Sequence, residues 1–142
     1  MCNLFVMCGS PGAGKTTISK TIEHKYNAVR YSFDEMHCIR HRELIPYIID
    51  SLQTGKSVVV DALYDRAKFR QELLQATNQL GCKRILVYVN TELAECINRN
   101  LNRETQLPVF IIESIYHTFE PPNLDEGWDE IIEVRPYDCL SL

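Results

Sequence analysis

Short apolar runs alternate with segments of helical period along this chain. Asn3–Cys8 (NLFVMC) is a continuous apolar run that stops at Gly9, the pattern of a buried strand. Lys15–Tyr26 sets Ile18 and Ile22 four residues apart, on one face of a helix. Ala28–Ser32 reads as a second strand. Residues 35–54 carry a helical pattern interrupted near Pro46, because proline lacks the N–H that a helix interior requires. Gly55-Lys56 closes that helix. Ser57–Asp61 (SVVVD) is apolar and β-branched, as in a strand covered on both faces. Asp65–Leu80 predicts an amphipathic helix with Phe69, Leu73, Leu74 and Ala76 toward the core and Gly81 as its stop. Arg84–Asn90 (RILVYVN) is another buried strand. Thr91 then caps a helix that buries Ala94, Ile97 and Leu101. Pro108 opens a further helix to about Thr118, and Glu130–Val134 forms a last strand after the Pro121-Pro122 break.

Strands alternating with helices predict an α/β fold: a parallel sheet with helices on both faces and right-handed crossovers. Ligands of such sheets bind beyond the carboxyl ends of the strands. Gly9, Asp34, Asp61 and Asn90 all fall at or just past those ends, so four separate stretches converge on one edge. The 142 residues fit one domain, residues 1–142, with no repeat, low-complexity tract or linker.

Composition narrows the partners. With 45% hydrophobic and 24% charged residues the chain is an ordinary globular one. It has no apolar run near the ~20 residues of a membrane span and no secretory signal pattern, so the cytoplasm is the expected compartment. A net charge of −4 runs against strong nonspecific binding to nucleic acid, which draws on a basic surplus. It favours a small molecule or a short nucleic-acid end as partner. The six cysteines, at positions 2, 8, 38, 82, 96 and 139, lack the close repeated spacing of a metal cluster or disulfide framework, and read as reduced structural thiols. Trp128 and the tyrosines read as packing residues.

One stretch carries sharp chemistry. Gly9-Ser10-Pro11-Gly12-Ala13-Gly14-Lys15-Thr16 satisfies Gly-x-x-x-x-Gly-Lys-[Ser/Thr] at every defined position, between a predicted strand and a predicted helix. Glycines let successive N–H groups turn inward as an anion nest, at the positive end of the following helix. Residues 9–17, Thr17 included, therefore predict a cradle for ATP or GTP. Lys15 is expected at the β- and γ-oxygens and the Thr16 hydroxyl at Mg²⁺. Asp61, ending a buried strand, is the second candidate Mg²⁺ ligand; the alternative is a cap for the next segment. Asp34 stands where a base for an acceptor hydroxyl would sit, and equally where it could cap a helix beginning near Glu35. Arg99 and Arg103 share a helical face. They are candidates to hold the transferring phosphate, against the plain reading of a solvated face paired with Glu95 or Glu104.

These residues resemble the P-loop kinase domain of polynucleotide 5′-hydroxyl kinases and their relatives among small AAA-type and zeta-toxin-like ATP-binding proteins. The resemblance is carried by GSPGAGKTT (9–17), Asp34, VVVDA (58–62), ECINRNLNR (95–103) and FEPPNLDEGWDEIIEV (119–134). It implies a P-loop NTPase three-layer α/β/α sandwich with a five-stranded parallel sheet in the order 2-3-1-4-5. It also implies Asp34 as general base, Arg103 as the lid arginine, and Lys15 and Thr16 as γ-phosphate and Mg²⁺ ligands. Two departures lie toward the acceptor: Phe33 stands where the family often has Arg, and Asp61-Ala62-Leu63-Tyr64 replaces Asp-x-Thr-Asn. Arg66, Lys68 and Arg70 are left as candidate acceptor contacts. The expected activity is transfer of a γ-phosphoryl group to a hydroxyl. A nucleotide-binding regulatory module and a toxin-like small-molecule kinase are the alternatives.

Overall fold

The computed structural model describes residues 2–135. Five parallel strands, β1 (Asn3–Cys8), β2 (Val29–Ser32), β3 (Val58–Asp61), β4 (Lys83–Val89) and β5 (Glu130–Val134), form one sheet in the order β2-β3-β1-β4-β5. Five helices connect them: α1 (Lys15–Tyr26), α2 (Ile45–Gln53), α3 (Ala67–Ala76), α4 (Leu93–Leu101) and α5 (Val109–Thr118). The parallel sheet between helices is the one the sequence pattern predicts, and the strand order is the one the family resemblance implies.

Successive residues of a strand point to opposite faces, and β1 shows the consequence. Leu4, Val6 and Cys8 enter one core with Leu44, Ile48, Leu73 and Trp128. Phe5 and Met7 enter the other with Ile18, Ile22, Cys96 and Ile112. Because β1 is central and covered on both faces, its sequence is an unbroken apolar run. Burial pushes the Cys8 thiol up to about 12, so it stays a neutral core group.

Several local expectations are corrected. Residues 33–37 form a turn and His41–Leu44 a 3-10 segment; the α-helix begins only at Ile45. Pro46 thus opens α2 instead of interrupting a longer helix, since its missing N–H costs nothing in a first turn. Asp34 accordingly caps no helix. The buried residues of α4 are Cys96 and Asn100; Ala94 and Leu101 are exposed. Thr91 does not cap α4, whose N-cap is Glu92.

The cysteine reading also needs amendment. Cys2 and Cys82 form a disulfide. The register of β1 on β4 pairs Asn3 with Lys83, which sets the preceding residues side by side at a Cα separation of 5.4 Å. Cys8, Cys38 and Cys96 are free thiols, and Cys139 lies outside the described residues.

A candidate phosphate and metal site at the strand ends

The loop from Gly9 to Gly14 follows β1 and turns straight into α1. Gly12 and Gly14 have φ of +80° and +107°, which L side chains rarely adopt. Space restricts them as well. A Cβ on Gly12 would lie 2.5 Å from the Cys96 carbonyl oxygen, and one on Gly14 would strike the Arg99 guanidinium. No side chain caps the start of α1, and the Gly12 and Gly14 amides donate to no acceptor among the described residues. Free donors at a helix N-terminus form a ready anion site.

Lys15 is 8% exposed, and its Nζ donates to the Ser10 carbonyl at 2.8 Å. Burial lowers its pKa, with Asp61 the largest influence in the opposite direction and Asp34 a smaller one. A phosphate in the loop would replace the carbonyl as partner and favour the charged form.

The Thr16 hydroxyl donates to Asp61 Oδ2 at 3.1 Å, so the two expected metal ligands do meet. Ser19 Oγ lies 3.1 Å from the same oxygen and Arg30 Nη2 2.6 Å from it. Asp61 Oδ1 accepts no hydrogen bond among the described residues. A hydroxyl and a carboxylate with one open oxygen suit Mg²⁺, a hard cation that takes oxygen ligands and keeps several waters. Arg30 was not anticipated. Its guanidinium also pairs with Glu35, and its side chain is only 6% exposed.

Other contacts brace the loop. Thr91 Oγ1 donates to the Ala13 carbonyl at 2.7 Å, and Arg99 Nη1 reaches the same oxygen at 3.2 Å. Arg99 also pairs with Glu95. Arg103 lies beyond α4 on the exposed 102–106 turn and is in none of the ion pairs among the described residues. Asn100 holds that turn closed: its Nδ2 donates to the Leu107 carbonyl at 2.8 Å, and its Oδ1 accepts the Leu107 N–H at 2.9 Å. Asp34 is exposed on the turn after β2. Thr17 is exposed on α1, while Ser10, Pro11 and Ala13 are buried in the loop.

The three candidate acceptor contacts divide. Arg70 is fully buried and forms a two-pronged pair with Glu126, at 3.0 and 2.8 Å, while Nη1 donates to the Tyr64 carbonyl at 2.7 Å. With no exposed surface it meets no acceptor. Arg66 pairs with Glu120 at 3.2 Å, and Lys68 lies 5.2 Å from the Phe69 ring centroid. Glu120 also accepts the Ala67 N–H, the first cause holding its carboxyl below its ordinary range. In the 119–134 stretch that carries part of the resemblance, Glu120 and Glu126 therefore fasten α3.

A phosphate-loop strand–turn–helix on a parallel 2-3-1-4-5 sheet defines the P-loop NTPase class. A family model described as an AAA domain matches residues 4–122, and the chain belongs to that family. The L-seryl-tRNA(Sec) kinase of Methanococcus maripaludis is 25% identical over 142 aligned residues, covering 89% of this chain and 56% of the relative. A protein described as Protein KTI12 homolog, from Arabidopsis thaliana, is 26% identical over 158 residues, covering 94% of this chain and 52% of the relative. The chain thus spans about half the length of the curated relatives it matches. The crystal structure of Chaetomium thermophilum Kti12 in complex with ADP-AlF3 shares the fold with a TM-score of 0.83 at 16% identity, covering 96% of this chain and 90% of that one. Among the described residues no helix is long and apolar enough to cross a membrane.

Proposed function

We propose that residues 1–142 form a P-loop kinase unit that transfers the γ-phosphoryl group of ATP or GTP to an acceptor hydroxyl, in the cytoplasm. The observation that carries this reading is that Lys15 and the Thr16–Asp61 pair stand at a glycine loop whose Gly12 and Gly14 amides donate to no acceptor among the described residues. Membership of a family whose relatives include a kinase supports it.

In this reading the loop amides and Lys15 hold the β- and γ-phosphates, and Thr16 and Asp61 hold Mg²⁺. The ion, when bound, neutralises charge on the phosphate oxygens. Asp34 takes the proton of the acceptor hydroxyl as that oxygen bonds to the γ-phosphorus. The bond from phosphorus to the β,γ-bridging oxygen breaks, leaving the nucleoside diphosphate. Arg103 swings in on the lid turn, and Arg99 holds the loop and the adjoining phosphates. Phosphoryl transfer gains mainly from such positioning and charge stabilisation.

The test is incubation with γ-labelled ATP and a panel of 5′-hydroxyl oligonucleotides, nucleosides and small metabolites. Transfer is expected, abolished by Lys15→Ala and strongly reduced by Asp34→Asn. Tight ATP binding without transfer to any acceptor would make the chain a nucleotide-binding module instead.

A further inference from the structure

A pocket of about 190 Å³ opens beside the phosphate loop at the carboxyl end of β4. Its lining includes the aromatic Tyr88, Tyr116 and Phe119 and the polar Ser10, Asn90 and Thr91. The Tyr88 and Phe119 rings are nearly parallel, 16° apart with centroids at 5.8 Å. Among the described residues no Asp, Glu, Lys or Arg lines the pocket. Four polar side chains in it make no hydrogen bond to another described residue: the Tyr88 and Tyr116 phenols, the Asn90 carboxamide and the Ser10 hydroxyl. Thr91 is already committed to Ala13. Burial raises the Tyr88 phenol, which keeps it a proton donor.

Location gives the pocket its meaning. Ser10 supplies both a wall of it and the carbonyl that Lys15 Nζ touches. In this loop type that lysine marks the β,γ end of the triphosphate. The pocket therefore lies at the transferable phosphate.

We infer that this pocket receives the acceptor as an uncharged ring, stacked on the Tyr116 and Phe119 faces and hydrogen-bonded along its edge by Asn90 and the two phenols. Aromatic faces hold flat rings whatever their identity, and a carboxamide offers a donor and an acceptor side by side. A ring bearing phosphate, sulfate or carboxylate finds no cation among the described lining residues to offset its desolvation and should bind more weakly. Nucleosides and monosaccharides share the required chemistry. The assignment rests on the phosphotransferase reading, since it names the acceptor of that reaction.

The experiment is calorimetry on the full chain saturated with a non-hydrolysable ATP analogue and Mg²⁺. The probes are four nucleosides, a set of monosaccharides and the phosphorylated form of each. At least one uncharged probe is expected to bind, with its phosphorylated form about tenfold weaker or more. The nucleoside and sugar arms identify the source of the ring. Tyr116→Ala and Asn90→Ala should each weaken that probe about tenfold while leaving the ATP analogue and the melting temperature unchanged. Asn90→Ala keeps the test open if the tyrosine variant fails to fold. The inference is overturned if no uncharged probe binds, if charged forms bind equally well, or if the ATP analogue displaces the probe. Binding of a probe that never accepts phosphate would instead count against the kinase reading and leave the pocket assignment standing. Transfer to an acceptor unaffected by either variant would do the reverse.

Discussion

Arg70→Ala is the substitution whose cost the structure defines most fully. The wild-type guanidinium is fully buried, and its Glu126 partner is 8% exposed at the side chain. Removing it strands that carboxylate, which keeps only the Trp128 indole N–H at 3.0 Å. It also leaves the Tyr64 carbonyl with nothing stronger than the Cys8 thiol, at 3.3 Å. Breaking a buried pair from one side costs about 3–5 kcal/mol. With roughly 2.1 cal/mol/K of unfolding entropy per residue, the chain unfolds with about 0.3 kcal/mol/K, so the melting temperature should drop by about 10–17 °C. Urea unfolding with an unchanged m-value measures the free energy directly. The double variant Arg70→Met/Glu126→Met removes both charges and should cost less than Arg70→Ala alone. ATP affinity measured well below the melting temperature should stay the same. A loss under about 1 kcal/mol, in the range of ordinary surface changes, would refute the argument. So would a double variant as costly as the two single ones added together.

Other expectations bear on the site itself. Thr91→Val deletes the hydroxyl on Ala13, and the loss of one such bond should weaken ATP binding about 2- to 12-fold by calorimetry; unchanged affinity would remove Thr91 from the loop's support. Arg30→Met leaves Asp61 with neutral donors only, so the melting temperature should become more responsive to Mg²⁺ than in the parent, and an equal or smaller response would show that Arg30 does not share the carboxylate with the metal. His41 lies against Phe69, Tyr64 and Phe33, accepts the Tyr64 N–H, and is held below its ordinary pKa first by burial. Its folded pKa is therefore below the unfolded value near 6.5, so its contribution is complete above that pH and declines as pH falls toward the folded pKa. His41→Asn should flatten the stability profile on the acid side of pH 6.5; an unaltered slope would assign it to other groups.

The elements that could be read ahead of the structure are those whose determinants are local. The β-branched run 58–60 and the apolar run 4–8 identify their strands because burial on both faces leaves polar residues nowhere to point. The phosphate loop is legible because its geometry is written in eight consecutive residues. Thr91 misled for the same reason: the local rule favours a cap, but its hydroxyl is claimed by Ala13, 78 positions away. Cys2 and Cys82 are 80 residues apart, and only the β1–β4 register brings them together. Arg70 did leave a signal. It stands three and four residues before Leu73 and Leu74, on the face that turns inward, and a charge there demands a partner.

That division between local and distant determinants also separates the two halves of the site. The donor half is one turn of backbone with Lys15 and Thr16 attached, so any sequence that builds it announces it. The pocket proposed for the acceptor draws on the phosphate loop, the end of β4, the end of α5 and the segment after it, and no spacing within one segment encodes their meeting. Signature residues near it point elsewhere: Glu120 and Glu126 fasten α3, and Trp128 fills a core and donates to Glu126. The 119–134 stretch therefore divides: Glu120, Glu126 and Trp128 hold α3 and the core in place, while Phe119 and Pro121 line the pocket. On the proposed reading acceptor choice would fall to Tyr88, Asn90 and Tyr116, whose side chains make no hydrogen bond to the phosphate cradle or to those fasteners among the described residues.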